Sequence, residues 1–425
     1  MSQSKKFIVV LIVTLVVPYL NLDAQTMDTD KADKSDQRSG PHSVWQTLFS
    51  GTLLPIDADN RTWYINPVFD MFQFNTIEGF VFNPRVSLTQ QLEEGKFYAI
   101  KPNLRYGASS QTVYGKLQAL YQYNPSRSGS LVFNGGHFTE QFDDRSTLTP
   151  FANSSSTLFF KENYLKLYAS SFVELGHSFS PVKDFQLTNH LYWSNRKSLQ
   201  NLERFDGEDS EYTPNVPSNN EISDTAFDPH QVFYQETEIR WQQHLQYKYV
   251  RGKLLPTSSY PAILLKYQSA FPNILGADLS YHRVSLGIEG DLTMGGLGKG
   301  RFSLEGGDFL AKDSLSFVDF NHFQGNRTTY TIYEPGTFQL LDYYTESTAE
   351  FYIRGHYHHQ FALIREFIKP VAEANYLNTS NSHYLELGAG IEMASRPLRV
   401  SFHSSWLGGR HDRAEIRFGF VFSDM

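Results

Sequence analysis

Leu398-Arg399-Val400-Ser401-Phe402-His403-Ser404-Ser405-Trp406 is the stretch that decides the fold. In an extended chain, Leu398, Val400, Phe402 and Trp406 stand on one face, and Arg399, Ser401, His403 and Ser405 on the other. The same period recurs upstream. Phe80, Phe82, Pro84, Val86 and Leu88 oppose Asn83, Arg85, Ser87 and Thr89. Tyr98, Ile100, Leu104 and Tyr106 oppose Lys101, Asn103 and Arg105. Val284, Leu286, Ile288, Leu292 and Met294 oppose Ser285, Glu289, Asp291 and Thr293. A run over 232–249, with Ile239, Trp241, Leu245, Tyr247 and Tyr249 on one face, reads as one long strand.

A soluble β-sandwich also alternates, but its strands are nearer five or six residues. Strands of about ten residues match a membrane crossed at a tilt. Full charges on one face and aromatic residues on the other suit a wet lumen and a lipid exterior. An open sheet edge in hydrocarbon leaves backbone groups unpaired, so such a sheet must close. The fold class is therefore all-β, a transmembrane antiparallel β-barrel over residues 44–425. About fifteen alternating segments are recognisable between 80 and 422. Barrels of this type have an even strand number, short inner turns and long outer loops. One further strand within 44–74 places the long connections 142–170, 198–231 and 310–347 at the outer end together. The count is then about 16, with about 14 as the alternative. These loops either extend from the surface or fold inward and plug the lumen.

The rest of the chain sets the compartment. Lys5 and Lys6, the apolar run Phe7–Val17 and the small residue Ala24 read as a signal peptide over 1–24. Residues 25–43 are polar and charged and read as a disordered linker. The chain has 425 residues, no cysteine and a net charge of −8. An exported chain without cysteine has no disulfide framework. Aromatic residues make up 15% of it, as the interface girdles of a barrel require. Mean hydropathy is −0.40, with no later apolar run of helix-spanning length, so a helical membrane protein is excluded. The mild acidity does not favour nucleic acid. The expected location is the bacterial outer membrane. The expected partners are outer-membrane lipid and lipopolysaccharide, with the barrel assembly machinery during biogenesis, which reads a final strand such as Ile416, Phe418, Phe420 and Phe422.

Several segments resemble a family. Phe74-Asn75-Thr76-Ile77-Glu78-Gly79-Phe80 is similar to the start of a Bacteroidota outer-membrane barrel family of unknown function. Further resembling segments, in order, are Glu162-Asn163-Tyr164 with Leu167-Tyr168, Phe323-Gln324-Gly325-Asn326, Ser347–Tyr352, His358–Phe361 and Tyr384–Glu392. In that family the barrel usually follows a carboxypeptidase-regulatory-like β-sandwich. Residues 25–74 leave no room for it, so that domain is expected to be absent. The resemblance implies a barrel and no established activity, substrate or catalytic residue.

Searching for chemistry yields little. Gly295-Gly296-Leu297-Gly298-Lys299-Gly300 lacks the Ser or Thr and the following helix of a phosphate loop and reads as a hairpin turn. His356, His358 and His359 lack a spaced partner for a metal site. No cofactor is expected. His403 and Ser405 share a strand face, as in barrel phospholipases that use a His-x-Ser pair, so a lipid hydrolase is the alternative function. The face is lumenal, which disfavours lipid cleavage. The leading function is a non-enzymatic pore or a surface-loop scaffold. Arg85, Lys101, Arg105 and Lys116 are expected to form a basic lumen wall, and Glu289 and Asp291 an acidic one. The 198–231 loop is acidic, through Glu203, Asp206, Glu208, Asp209, Glu211, Glu221, Asp224 and Asp228, and reads as solvated surface charge.

Overall fold

The computed structural model describes residue 48 and residues 51–421, apart from short gaps at 57–59, 147, 207–211, 251–252, 329, 334–335, 363–366 and 394–397. The expected signal peptide, the linker and Phe422 lie outside the described residues. The strands are β1 (Thr52–Ile56), β2 (Arg61–Ile65), β3 (Phe72–Asn75), β4 (Gly79–Phe82), β5 (Val86–Gln91), β6 (Phe97–Gly107), β7 (Thr112–Asn124) and β8 (Gly129–Gln141). They continue with β9 (Leu167–Phe179), β10 (Phe185–Ser198), β11 (His230–Gln242), β12 (Gln246–Val250), β13 (Lys253–Thr257), β14 (Ala262–Ala270), β15 (Ser280–Thr293) and β16 (Lys299–Ser314). The last are β17 (Tyr330–Tyr333), β18 (Tyr352–Gln360), β19 (Ile368–Thr379), β20 (His383–Met393), β21 (Leu398–Leu407) and β22 (Arg410–Val421).

Twenty of these form one sheet, and β12 and β13 form a separate hairpin. The sheet is a meander of antiparallel neighbours from β1 to β22, with β17 added in parallel beside β22. Among the described residues no ladder joins the first strands to β22. Two crossings are interrupted. A one-turn helix, α1 (Val68–Met71), separates β2 from β3, and Pro84 separates β4 from β5. Proline has no N–H for a ladder, so strands break or bulge at it. The two breaks face each other and are stitched together: Asn66 Oδ1 accepts from Arg85 N at 2.7 Å, and Asn83 N donates to Met71 O at 2.7 Å. The expected strand within 44–74 is thus present as β2 and β3.

The alternation read from sequence governs exposure, with the polarity of a soluble protein reversed. Phe402 and Ile416 are each 54% exposed, whereas His403, Ser405 and Glu386 are fully buried. Leu175, Leu286, Leu304, Leu387 and Val400 are exposed along with them. The antiparallel order puts 142–166, 199–229 and 315–351 at one end of the sheet and the short turns at 92–96, 125–128, 180–184 and 294–298 at the other. The loop parity read from sequence therefore holds. The glycine-rich segment after Met294 is the turn joining β15 to β16, with Gly295 at φ 56° and Gly298 at φ 109°. One expected strand is corrected. The run over 232–249 ends at Gln242, because the chain turns at His244, with φ 54°, and a separate hairpin begins at Gln246.

Candidate functional site: a loop plug on the polar face

The three long connections pack onto the buried, polar face of the sheet. Phe142 from the first, Phe227 from the second and Phe317, Val318, Phe320 and Tyr344 from the third meet wall residues Tyr168, Val232, Tyr281 and Phe309 in one apolar cluster. A second cluster packs Phe323, Phe338 and Leu341 on Tyr352, Leu377 and Tyr384. Several of the segments that carry the family resemblance are joints of this plug.

The first joint is the turn after β3. Asn75 Oδ1 accepts from Ile77 N at 2.9 Å and Glu78 N at 2.8 Å, a side-chain turn that Asn suits. Gly79 follows with φ 72°, where a side chain would run into Ser109 and Arg204. Glu78 and Arg105 form a buried ion pair, with Arg105 Nε at 2.8 Å from Oε1 and Nη2 at 2.5 Å from Oε2. Thr76 is held by both neighbouring loops: Asn163 Nδ2 donates to its hydroxyl at 2.9 Å, and Leu202 N donates to its carbonyl at 2.9 Å.

The second joint is Glu386 on β20. Its carboxyl oxygens accept from Gln339 N at 2.9 and 3.0 Å, Leu340 N at 2.7 Å, Asn375 Nδ2 at 2.8 Å and the Tyr384 hydroxyl at 2.9 Å. Beside it, Arg417 Nε donates to Gln339 O at 2.9 Å, and Arg413 pairs with Asp342 at 2.8 Å. The buried face of the sheet, through β20 and β22, thus grips the tip of the 315–351 loop. Glu221 gives the second loop the same role, accepting from Ala349 N at 3.1 Å and from the Thr348 hydroxyl. It is therefore a structural member of the acidic loop; Glu208, Asp209 and Glu211 lie outside the described residues.

His403 sits in a charged row next to this grip. Its Nε2 is 2.8 Å from Ser401 Oγ and 3.7 Å from Glu373, which also pairs with Arg399 at 2.6 Å and His358 at 3.0 Å. Gly388 leaves the space the imidazole fills. Ser405 instead donates to Asp412 at 3.3 Å. The geometry thus joins His403 to Ser401, not to Ser405. His356 meets Asn375 at 3.0 Å, and His359 stands on the opposite strand face. Among the described residues no group of three His, Asp or Glu side chains is placed to hold a metal ion.

The charges expected to form two walls are largely neutralised in pairs. Arg85 meets Asp70 at 3.5 Å, Arg105 meets Glu78, and Lys116 meets Glu140 at 3.0 Å. Glu289 meets Arg240 at 2.6 Å, and Asp291 meets Arg301 at 2.7 Å. Lys101 is exposed. Side chains on neighbouring strands lie within ion-pair reach, so one sign rarely accumulates where the partner strand supplies the other. Five of the six residues thus have a partner of opposite sign.

Below the plug lies a polar cavity of about 410 Å³, lined by Glu174, Glu236, Lys266, Arg283 and Asp319 among others. His322 of the third loop is one of the residues that line it. Its Nδ1 is 2.8 Å from Ser347 Oγ, and burial, aided by Arg145, pushes its pKa down to about 3. The folded state therefore holds it neutral. An unfolded histidine titrates near 6.5, so only the unfolded chain takes up this proton between pH 6.5 and 3. The stabilisation from neutral His322 is intact above pH 6.5 and falls as pH drops toward 3, by an amount on the order of 4 kcal/mol. Protease cleavage within 315–351 is expected to rise between pH 7 and 4, and His322→Gln is expected to flatten that profile. An unchanged profile in the variant would assign the effect to other groups. At the first loop, burial lowers the Lys166 amine to about 7 while it donates to Asn163 O at 2.7 Å.

Solved structures that are similar include BamA from Haemophilus ducreyi lacking POTRA domains 1–3, at 11% identity over 87% of this chain and 73% of that one, with a TM-score of 0.47. CdiB from Acinetobacter baumannii matches at 10% identity over 82% and 56%, with a TM-score of 0.42. A triple mutant of the Rhodopseudomonas blastica porin matches at 10% identity over 81% and 94%, with a TM-score of 0.34. These distances carry no inference about activity. A search of curated proteins finds no match. A family model described as the C-terminal domain of a family of unknown function, DUF5686, matches residues 46–391. Most of the sheet and all three plug loops fall within that match, and the chain belongs to the DUF5686 family through its C-terminal domain.

Proposed function

We propose that this chain is an outer-membrane β-barrel of sixteen crossings, closed at rest by its own outer loops, that works as a gated pore without enzymatic chemistry. The observation that carries the reading is the reversed polarity of the sheet: apolar side chains such as Phe402 are exposed while His403 and Glu386 are buried. Sixteen crossings result when β2 with β3, and β4 with β5, are each one interrupted strand and β1, β12, β13 and β17 are accessory. Unpaired edges are costly in hydrocarbon, and both edge strands of the seam are partly covered, β2 by β1 and β22 by β17. Gating is supported by the nature of the grip. Besides the apolar cluster around Phe338, the tip of the 315–351 loop is held to the wall by hydrogen bonds and ion pairs, each of which exchanges with water at a net cost of about 1 kcal/mol.

Two measurements test this. Phe402→Arg puts a charge on the outward face. At the bilayer midplane it is expected to destabilise the protein by about 2–4 kcal/mol, read by urea unfolding in vesicles. A near-neutral result would mean the face meets water. In planar bilayers the natural chain is expected to be nearly silent, and steady large currents from it would replace the plugged reading with an open porin. Nothing around Ser405 supports the hydrolase alternative.

A further inference from the structure

The helix α2 (Pro150–Phe160) is built inside out. Thr149 caps it, its hydroxyl accepting from Ala152 N at 3.1 Å, and Pro150 takes the first turn, where no N–H is needed. Its buried side carries Asn153, Ser156 and Thr157, with Asn153 Nδ2 donating to Asn163 at 2.9 Å. Its open side carries Phe151, Leu158 and Phe159, exposed by 50%, 43% and 53%. A helix on the surface of a water-soluble protein shows the opposite arrangement.

Its position gives the reason. The helix packs on β3, on the first crossing of the sheet, and among the described residues no ladder joins that crossing to β22. Ser154 Oγ accepts the Phe74 N–H at 2.8 Å, so the helix satisfies a backbone donor of the first crossing. Phe74 lies on the outward face with Phe72, Phe80 and Phe82 and is covered by Phe205, at 5.7 Å between ring centroids. Plug elements therefore reach over the rim onto the outward face at the seam. An unpaired N–H in hydrocarbon costs several kcal/mol, so a seam without a ladder needs both a cap and an apolar cover.

We propose that α2 is a lipid-contacting seam helix: Ser154 caps the first crossing while Phe151, Leu158 and Phe159 meet the acyl chains of the outer leaflet. The occupant is argued from continuity, since the helix exposes apolar groups in the same sense as the wall beside it and next to the exposed Phe72, Phe80 and Phe82. The inference rests on the outer-membrane reading above.

The chain contains no cysteine, so one introduced thiol reports one site. Phe159→Cys, Phe402→Cys and Ser223→Cys, the last on an exposed stretch of the second loop, are each labelled with an environment-sensitive fluorophore. Each full-length chain is then folded into phosphatidylcholine vesicles containing acyl-chain nitroxide lipid. Quenching at 159 is expected to match that at 402 and to exceed that at 223 several-fold. Quenching at 402 without quenching at 159 would overturn the seam-helix proposal and leave the membrane reading standing. No quenching at either site would overturn the membrane reading itself. Equal quenching at all three would show adsorption of the outer end as a whole and would also overturn the proposal.

Discussion

Glu386→Ala is expected to release the tip of the 315–351 loop and turn a silent barrel into a conducting one. The carboxyl group of Glu386 is fully buried and receives two backbone N–H groups, one amide and one hydroxyl, all within 3.0 Å. Removing it leaves those donors without an acceptor, and each buried unsatisfied donor costs about 1–3 kcal/mol. Water entering the space left by the side chain offsets part of that, so the expected net loss of plug stability is about 3–5 kcal/mol. Glu386→Gln keeps the size and one acceptor oxygen but turns an amide toward the donors, and is expected to lose about half as much. Frequent channel openings in bilayers, together with faster proteolysis within 315–351, would be the signature. Unchanged protection in Glu386→Ala would show that the apolar cluster around Phe317 and Phe320 holds the loop without it.

The other large effect is expected at the Glu78–Arg105 pair. Both side chains are almost wholly buried, at 1% and 6% exposure. Arg105 also donates to Gln73 at 3.0 Å, and Asn75 Nδ2 donates to Glu78 at 2.8 Å, so the pair anchors the whole turn. Breaking a buried pair by removing one partner costs about 3–5 kcal/mol, because the remaining charge stays buried without compensation. Arg105→Ala is therefore expected to lower thermal stability strongly and to loosen the loops gripping Thr76. Glu78→Gln with Arg105→Met is expected to recover much of the loss, since no lone charge remains. Unfolding of the single and double variants, followed by the temperature at which the compact band on a gel converts to the unfolded one, provides the test. A double variant as unstable as Arg105→Ala would assign the cost to lost packing instead.

Much of this molecule was legible in its residues. A period of two puts Phe402 out and His403 in, whatever the neighbours do, because successive strand side chains point to opposite faces. Loop lengths with an even strand number gave the parity, but the run through Pro84 read as one strand, and the structure breaks it there because proline supplies no ladder donor. The failures were local or long-range. The run 232–249 kept its alternation through the turn at His244, so periodicity alone did not show the strand end. Charges on one strand gave no hint that Lys116 would meet Glu140, 24 positions away, or that Arg240 would meet Glu289, 49 away.

The candidate site divides along the same line. From sequence, Asn75, Glu78, Asn163 and Glu386 were members of motifs with a family resemblance and no assigned task. Hydrophobic periodicity assigns a side chain to a face but says nothing about what fills the space that face encloses. Only the tertiary structure brought positions 339 and 386, or 76 and 163, to one place. The sequence by itself determined an inside-out antiparallel sheet, because strand geometry is local. Whether its interior is an open channel or a packed plug was decided by contacts between residues far apart in the chain. Those contacts depend on loop closure and on the satisfaction of buried polar groups, which no local pattern records.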